Sequence, residues 1–140
     1  MKQVVVEVRT NLSVPLVGAG VKAGFPSPAE EFEDRPLDFN ELLVTNPAAT
    51  FAVRAQGDSM AGAGVFDGDI CVVDRSLKPT DRSIIVALVN GEFTMKRLRM
   101  KNGRVWLQAE NPAYPDMPIT DGMEFEIWGV VAKSVRMLVQ

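Results

Sequence analysis

The stretch IIVALVNGEFTMKRLRM, residues 84–100, carries the clearest fold signal in the chain. It contains an apolar run, Ile84–Val89, and a mixed run, Phe93–Met100, on either side of the dipeptide Asn90-Gly91. Asn-Gly between two such runs is the strongest short-range signal for a β-hairpin, because both residues adopt the positive φ of a type I′ turn easily. A second pair, Asn102-Gly103, leads into the run Val105–Gln108. The region therefore predicts two successive hairpins.

Further strands are predicted on both sides of these hairpins. Phe51–Ala55 leads into a glycine-bounded turn, and Ile70–Asp74 follows an Asp-Gly turn and indicates a buried strand. After a proline-rich loop, Phe125–Val131 begins a long final strand. Turn signals at this spacing are typical of a mostly β, compact domain that is curled or barrel-like. A length of 140 residues suits one domain with a sizeable core.

The N-terminal residues have a different character. They are irregular up to about residue 35, and Pro26 and Pro28 hold their neighbours extended and exclude a continuous helix. Asp38 is expected to cap a short helix through Glu41–Leu43. We therefore expect an extended N-terminal arm, residues 1–39, followed by a β domain, residues 40–140.

The composition excludes several classes of function. The chain has no histidine, so a Ser-His-Asp triad and a Cys-His pair are both impossible. Its net charge of −3 does not favour binding to nucleic acid or anionic lipid. The lone cysteine, Cys71, lies in an apolar run and is expected to be a small buried residue. We therefore expect no internal disulfide, no metal site and no cofactor.

The chain also shows no sign of a membrane segment. No apolar run approaches the ~20 residues of a membrane span. Glu7 and Arg9 interrupt the apolar start of the chain, which argues against a signal peptide. The lack of an internal disulfide suits a reducing cytoplasm.

Ser59 and Lys96 are the candidate catalytic residues. Ser59 lies in the sequence Gly57-Asp58-Ser59-Met60, where a strand is predicted to end in a turn, and Lys96 lies in the second strand of the first hairpin. A nucleophilic serine needs a neighbouring base, and without histidine a lysine can take that role. A free lysine has a pKa of ~10.4 and is protonated at neutral pH. Lys96 must therefore lie in apolar surroundings that favour its neutral form.

The alternation of side chains along this strand predicts the surroundings of Lys96. Three residues share its face of the strand, which we expect to point inward: Thr94, Leu98 and Met100. Thr94 is the expected hydrogen-bond partner of the amine. Arg97 and Arg99 lie on the other face and are expected to point outward.

The backbone amides of Asp58 and Ser59 are predicted to form an oxyanion hole. Gly57 lets the chain bend sharply before them, so both N–H groups can point at one oxygen. The residues alone leave another interpretation open, since a Gly-x-Ser sequence usually serves a turn and a lysine in a hairpin is usually a solvated surface charge. The Asp58 side chain is expected to serve the turn and not to act as a catalytic acid.

Six short motifs follow one another in a specific order: Ala23–Pro28, Gly57–Met60, Phe66–Asp69, Gly91–Lys96, Asn111–Tyr114 and Trp128–Val131. Together they resemble the UmuD/LexA family of self-cleaving SOS-response proteins, from roughly Val21 to the C-terminus. The resemblance implies a curled β fold of the LexA and signal-peptidase type. It also implies that Ser59 is the nucleophile and Lys96 the general base of a serine peptidase that acts on itself.

The resemblance further implies a cleavage site and a set of partners. Cleavage is expected between Ala23 and Gly24. In this family a RecA–single-stranded DNA filament promotes the cleavage, and the shortened homodimer joins a Y-family DNA polymerase of the UmuC type to copy past lesions. The implied setting is the bacterial cytoplasm, with no membrane and no strong direct binding to DNA.

Within the family the chain resembles the UmuD-type members and not the repressors. The 23 residues that precede Gly24 are too few for a helix-turn-helix domain. Ala23 stands where the enteric UmuD-type proteins have a cysteine, and it matches the residue found in repressors.

Three alternatives remain at this point. A truncated LexA-type repressor would share the same motifs. A general peptidase such as a signal peptidase would cut foreign peptides with many turnovers. A non-enzymatic DNA-binding β module would use the basic cluster around the second Asn-Gly turn, which consists of Lys96, Arg97, Arg99, Lys101 and Arg104.

Overall fold

The structure is a computed structural model that describes residues 13–16, 20 and 35–139. Its elements in chain order are β1 (Ser13–Leu16), β2 (Arg35–Asp38), α1 (Phe39–Leu43), β3 (Thr50–Arg54), β4 (Ile70–Asp74), β5 (Ile84–Val89), β6 (Glu92–Lys101), β7 (Arg104–Gln108), β8 (Met117–Pro118) and β9 (Phe125–Val135). Short 3₁₀ turns lie at Pro47–Ala49 and Ala61–Ala63. The predicted strands are all present, and their bounds differ from the expected ones by a single residue at most, apart from the longer end of β9. The two-residue strand β8 was not predicted.

The chain divides into two compact units, with the boundary between Thr45 and Asn46. The described part of the first unit consists of β1, β2 and α1 and the residues that follow the helix. The boundary expected from the sequence, between residues 39 and 40, would cut α1 after its first residue. The division at residue 45 keeps the helix whole, and the functional separation into an arm and a β domain stays a prediction.

The pairing of β1 with β2 corrects the interpretation of residues 1–35 as wholly irregular. The two strands are antiparallel, and Pro15 lies opposite Pro36. Proline lacks the N–H group of a ladder bond, but both strands of a two-stranded ribbon are edge strands, where proline is tolerated. Asp38 caps α1 as predicted, since its side chain accepts a hydrogen bond of 2.9 Å from the Asn40 amide.

The second unit contains one antiparallel sheet of seven strands in the order β3-β4-β9-β5-β6-β7-β8. The long strand β9 lies near the middle, and its register shifts against β4 between Val72 and Val73 and against β5 between Val86 and Ala87. Such bulges bend a strand and increase its local twist. The sheet is accordingly curled, which confirms the mostly β, curled, barrel-like fold expected from the sequence.

Both Asn-Gly turns form as predicted. Asn90 and Gly91 have φ angles of 49° and 85°, and Asn102 and Gly103 have φ angles of 53° and 74°. Two successive positive φ angles are those of a type I′ turn, whose twist matches that of the flanking strands. The turns thus hold β5, β6 and β7 side by side, and this positions Lys96 in the middle of β6.

The core of the second unit consists of two apolar clusters. The larger lies between β5, β6 and β7 and contains the buried residues Ile85, Ala87, Val89, Leu98 and Leu107. The smaller contains Met60, Val65 and Cys71. Because Met60 directly follows Ser59, the smaller cluster anchors the serine turn on the sheet.

We predict that Leu98→Ala destabilises the fold by about 2–5 kcal/mol, because it leaves a cavity in the larger cluster. Leu98 is 1% exposed, whereas Leu138 is 88% exposed. The matched control Leu138→Ala is therefore expected to change stability by no more than about 0.5 kcal/mol. Urea unfolding followed by circular dichroism measures both values, and equal effects of the two substitutions would contradict the assignment of the core.

Candidate active site

The fold brings Ser59 and Lys96 together although 37 residues separate them in the chain. Ser59 lies in the turn after β3, and Lys96 lies in β6. The Lys96 Nζ atom lies 3.3 Å from Ser59 Oγ and 2.9 Å from Thr94 Oγ1. The first distance is long for a hydrogen bond, as is common in active sites without substrate. The expected contact between Thr94 and the amine is confirmed.

The surroundings of Lys96 favour the neutral amine. Burial of the side chain lowers the pKa of the Lys96 amine below the ordinary value for lysine. Among the described residues that line the adjoining cavity, none carries a carboxylate, and Arg54 adds a second positive charge. An opposite charge nearby would hold the amine protonated, and here the cavity wall supplies none. A larger fraction of Lys96 is thus able to accept a proton at neutral pH than for a lysine in water.

The cavity beside the pair has a volume of about 450 Å³ and is mostly apolar. Its apolar wall is formed by Phe51, Val53, Met60, Val65, Val86 and Phe93. Ser59 and Lys96 lie on its surface together with Thr94. A cavity of this kind accepts apolar side chains of an extended peptide next to the serine hydroxyl.

The alternation along β6 continues to the end of the strand, because its register with β7 shows no shift from Arg97 to Lys101. Leu98 is 1% exposed and lies in the core, but Met100 is 46% exposed. β6 extends to Lys101 at its hairpin turn, so its last residues pass beyond the apolar core. Met100 thus shares the face of Lys96 and Leu98, as predicted, but that face is not covered at the end of the strand.

The two arginines of β6 are less exposed than expected, because each is paired with a carboxylate. The Arg97 guanidinium forms an ion pair with Glu110, and its Nη1 donates a hydrogen bond of 2.6 Å to the Arg82 carbonyl. The Arg99 Nε atom lies 3.1 Å from Asp81 Oδ1, and its guanidinium lies over the Trp106 ring at 5.2 Å. The basic cluster that a DNA-binding module would use is therefore largely engaged, with only Lys101 and Arg104 exposed.

The turn that carries Ser59 is bound to residues 110–114. The Asp58 carbonyl accepts a hydrogen bond of 3.0 Å from Asn111 Nδ2, and Asp58 Oδ1 accepts one of 2.6 Å from the Tyr114 hydroxyl. The Ser59 carbonyl accepts one of 2.8 Å from the Glu110 amide. The Asp58 side chain thus serves the turn, as predicted, but the residues that bind it were missed. Their only sequence signal was the motif Asn111–Tyr114, to which no role had been given.

A second missed contact holds the segment after the serine turn. Asp69 is 2% exposed, and its two carboxylate oxygens lie 2.9 and 3.0 Å from Nε and Nη2 of Arg136. Arg136 and the Phe66 amide hold the pKa of the Asp69 carboxyl below its ordinary value. Because Arg136 directly follows β9, this pair ties the loop after Ser59 to the end of the central strand.

The amides of Asp58 and Ser59 are available as donors. Within the part of the chain that the structure describes, neither amide donates a hydrogen bond. The predicted cleavage site, Ala23 and Gly24, lies outside the described residues. The assignments of the nucleophile, base, oxyanion hole and cleavage site all remain predictions about function.

Cys71 is not a second reactive centre. Cys71 is fully buried, as expected, and this burial raises the pKa of its thiol. A buried thiol with a raised pKa is a poor nucleophile.

No group of three or more metal-ligating side chains occurs among residues 13–16, 20 and 35–139. In that same part of the chain, no helix has the length and apolar character needed to cross a bilayer.

Comparison with known proteins identifies the family. The chain matches the Peptidase S24-like family over residues 15–132. It belongs to that family. The chain is 45% identical over 124 residues to Protein SamA of Salmonella typhimurium, and the aligned residues cover 89% of this chain and 86% of SamA. Protein MucA of Salmonella typhimurium is 42% identical over 124 residues, covering 88% of this chain and 84% of MucA. The LexA repressor of Acidithiobacillus ferrooxidans is 40% identical over 129 residues, covering 89% of this chain and 61% of the repressor.

We predict that Lys96 of this S24-like domain titrates at a lower pH than an ordinary lysine, because its surroundings destabilise the charged amine. Between the folded and unfolded pKa values the unfolded chain binds more protons, so the contribution of Lys96 to stability rises with pH in that range. The ¹³Cε resonance of Lys96 reports the titration in protein labelled at lysine. The same resonance in urea-unfolded protein is the control, and equal midpoints in the two states would contradict the prediction.

Proposed function

We propose that this chain is a self-cleaving serine peptidase of the UmuD type, which cuts its own Ala23–Gly24 bond. Ser59 is the nucleophile and Lys96 is the general base. The observation that carries the proposal is the separation of 3.3 Å between Lys96 Nζ and Ser59 Oγ, combined with burial that lowers the pKa of the Lys96 amine. A serine beside a desolvated amine is the arrangement that nucleophilic catalysis requires when no histidine is present.

The reaction begins when neutral Lys96 accepts the proton of the Ser59 hydroxyl. Ser59 Oγ attacks the carbonyl carbon of Ala23, and the carbonyl oxygen becomes an oxyanion. The protonated amine of Lys96 then donates its proton to the nitrogen of Gly24, and the Ala23–Gly24 bond breaks. An ester between Ser59 and the Ala23 carbonyl remains. A water molecule, deprotonated by neutral Lys96, hydrolyses this ester and restores both residues.

The remaining parts of the site support this chemistry. The unoccupied amides of Asp58 and Ser59 are suited to donate hydrogen bonds to the oxyanion, an effect typically worth about 10²–10³ in rate per donor. The apolar cavity of about 450 Å³ suits Val21 and other apolar side chains of an extended cleavage segment. Gly24 has no Cβ to collide with the nucleophile.

The cellular role follows from the resemblance. We propose that a RecA–single-stranded DNA filament stimulates the cleavage, and that the processed homodimer becomes the regulatory subunit of a UmuC-type translesion polymerase in the bacterial cytoplasm. The chain is 45% and 42% identical to the UmuD-family proteins SamA and MucA, and 40% identical to a LexA repressor. The higher identity to SamA and MucA supports the UmuD-type role. The ion pairs that engage Arg97 and Arg99 argue against a DNA-binding module.

We predict that Ser59→Ala and Lys96→Ala each reduce cleavage by at least about a thousandfold, because the nucleophile and its base act as a unit. The assay is incubation with a RecA filament, and mass spectrometry detects the fragment of residues 24–140. Ser134→Ala and Lys101→Ala serve as matched controls at exposed positions and are expected to cleave at the normal rate. Cleavage at the same bond by either active-site variant would rule out the proposed mechanism.

Cleavage without the filament is expected to accelerate with pH. Only neutral Lys96 accepts a proton, so below the pKa of Lys96 the rate should rise about tenfold per pH unit. Since burial lowers the pKa of this amine, the rate should level off below the ordinary pKa of lysine. The measurement is the first-order rate of fragment appearance between pH 6 and 11. A rate independent of pH would exclude a lysine base.

A further inference from the structure

Residues 110–114 contact the serine turn at three polar groups: the Asp58 carbonyl, the Asp58 carboxylate and the Ser59 carbonyl. Asn111 Nδ2 and the Ala61 amide both donate to the Asp58 carbonyl, at 3.0 and 3.2 Å. The Tyr114 hydroxyl donates to the Asp58 side chain at 2.6 Å, and the Glu110 amide donates to the Ser59 carbonyl at 2.8 Å. The loop thus binds the backbone on both sides of the nucleophile.

The bond from Asn111, together with that from the Ala61 amide, holds the direction of the Ser59 amide. The Asp58 carbonyl and the Ser59 N–H belong to one peptide unit, which is planar and, like the other described peptide bonds, not cis. In a trans peptide the C=O and N–H bonds point in opposite directions. When Asn111 binds the Asp58 oxygen, the Ser59 N–H therefore points away from Asn111 and keeps no acceptor among the described residues.

Tyr114 holds the same peptide unit through the Asp58 side chain. Its hydroxyl donates to a carboxylate oxygen, and such charge-assisted bonds are short and comparatively strong. The Asp58 carboxylate raises the pKa of the Tyr114 hydroxyl, which favours the protonated form that donates this bond. Rotation of the peptide unit would have to break the bonds from Asn111 and Ala61 to the Asp58 carbonyl, and the Tyr114 bond fixes Asp58 at one end of the unit.

The loop is itself held in shape by local contacts. Asn111 Oδ1 accepts a hydrogen bond of 2.9 Å from the Ala113 amide, and the Asn111 carbonyl accepts one of 3.1 Å from the Tyr114 amide. Pro112 between them has a restricted φ angle. Asn111 and Tyr114 are thus directed at Asp58 before any substrate binds. Such preorganisation costs no reorganisation at the moment of reaction.

We propose that Asn111 and Tyr114 are positioning residues that set the plane of the Asp58–Ser59 peptide unit and thereby aim the Ser59 amide at the oxyanion. The inference rests on the proposed self-cleavage. It gives a role to the Asn111–Tyr114 motif, whose side chains do not line the cavity and do not touch the reacting atoms.

The test compares three substitutions that leave the charge of the protein unchanged. Asn111→Ser keeps an acceptor for the Ala113 amide but is too short to reach the Asp58 carbonyl. Tyr114→Phe removes the hydroxyl alone. The matched control is Ser76→Ala, which removes another hydroxyl that donates a bond of 2.6 Å to a carboxylate, that of Asp74, away from the cavity.

Each of the first two variants is expected to cleave about tenfold more slowly than the wild type, as a displaced oxyanion donor would cause. The pH at which the rate reaches half its plateau should stay the same, since the surroundings of the Lys96 amine are unchanged. Ser76→Ala should cleave within about twofold of the wild type. Normal rates in Asn111→Ser and Tyr114→Phe, or a loss matched by Ser76→Ala, would overturn the inference.

The amide of Ser59 gives a second readout that does not depend on cleavage. In ¹⁵N-labelled protein, the Ser59 amide resonance is expected to shift in Asn111→Ser and Tyr114→Phe and to stay in place in Ser76→Ala. An unshifted Ser59 amide in the first two variants would overturn the inference whatever the cleavage rates are. A wild-type chain that fails to cleave, with the Ser59 amide shifted as expected, would instead overturn the proposed function and leave the positioning of the peptide unit supported.

Discussion

The central physical constraint on the site is that the Lys96 amine, beside the Ser59 hydroxyl, is kept from water. A lysine in water holds its proton at neutral pH, and each tenfold gain in the neutral fraction corresponds to about 1.4 kcal/mol of destabilisation of the charged form. The fold supplies this destabilisation by covering Lys96 with apolar side chains and by keeping carboxylates out of the cavity wall. Thr94 and Ser59 remain as neutral hydrogen-bond partners.

The distribution of charge along β6 serves the same end. Arg97 and Arg99 follow Lys96 in sequence, and each is paired with a carboxylate, Glu110 and Asp81 respectively. Lys96 points to the cavity and has no such partner among the described residues that line it. β6 thus carries two arginines that are each paired with a carboxylate, and one lysine that faces a cavity whose described lining residues include no carboxylate. The difference arises from which face of the strand each residue occupies.

The serine turn is held from three directions by contacts distant in the chain. Met60 inserts into the smaller core cluster, the Asp69–Arg136 pair ties the following loop to the end of β9, and residues 110–114 bind the backbone around Ser59. Gly62 shows how closely these parts approach, because a Cβ at this position would lie 2.6 Å from the Glu110 carbonyl oxygen. A nucleophile held in this way keeps its geometry without relying on its own short loop.

Local sequence accounted for several features that depend on residues close together in the chain. The two Asn-Gly turns, the Asp38 cap and the strand bounds follow from backbone preferences of neighbouring residues, and the absence of histidine left a lysine as the base. Ordered motifs identified Ser59 and Lys96 through resemblance, but spacing alone could not show that residues 37 positions apart lie 3.3 Å apart. That proximity, the pairing of Asp69 with Arg136 and the contacts of Asp58 with Asn111 and Tyr114 exist only once β4, β9 and β5 are neighbours in the sheet. Burial behaves in the same way, because the loss of water around an amine depends on all the chain segments that cover it and not on the residues beside it in sequence.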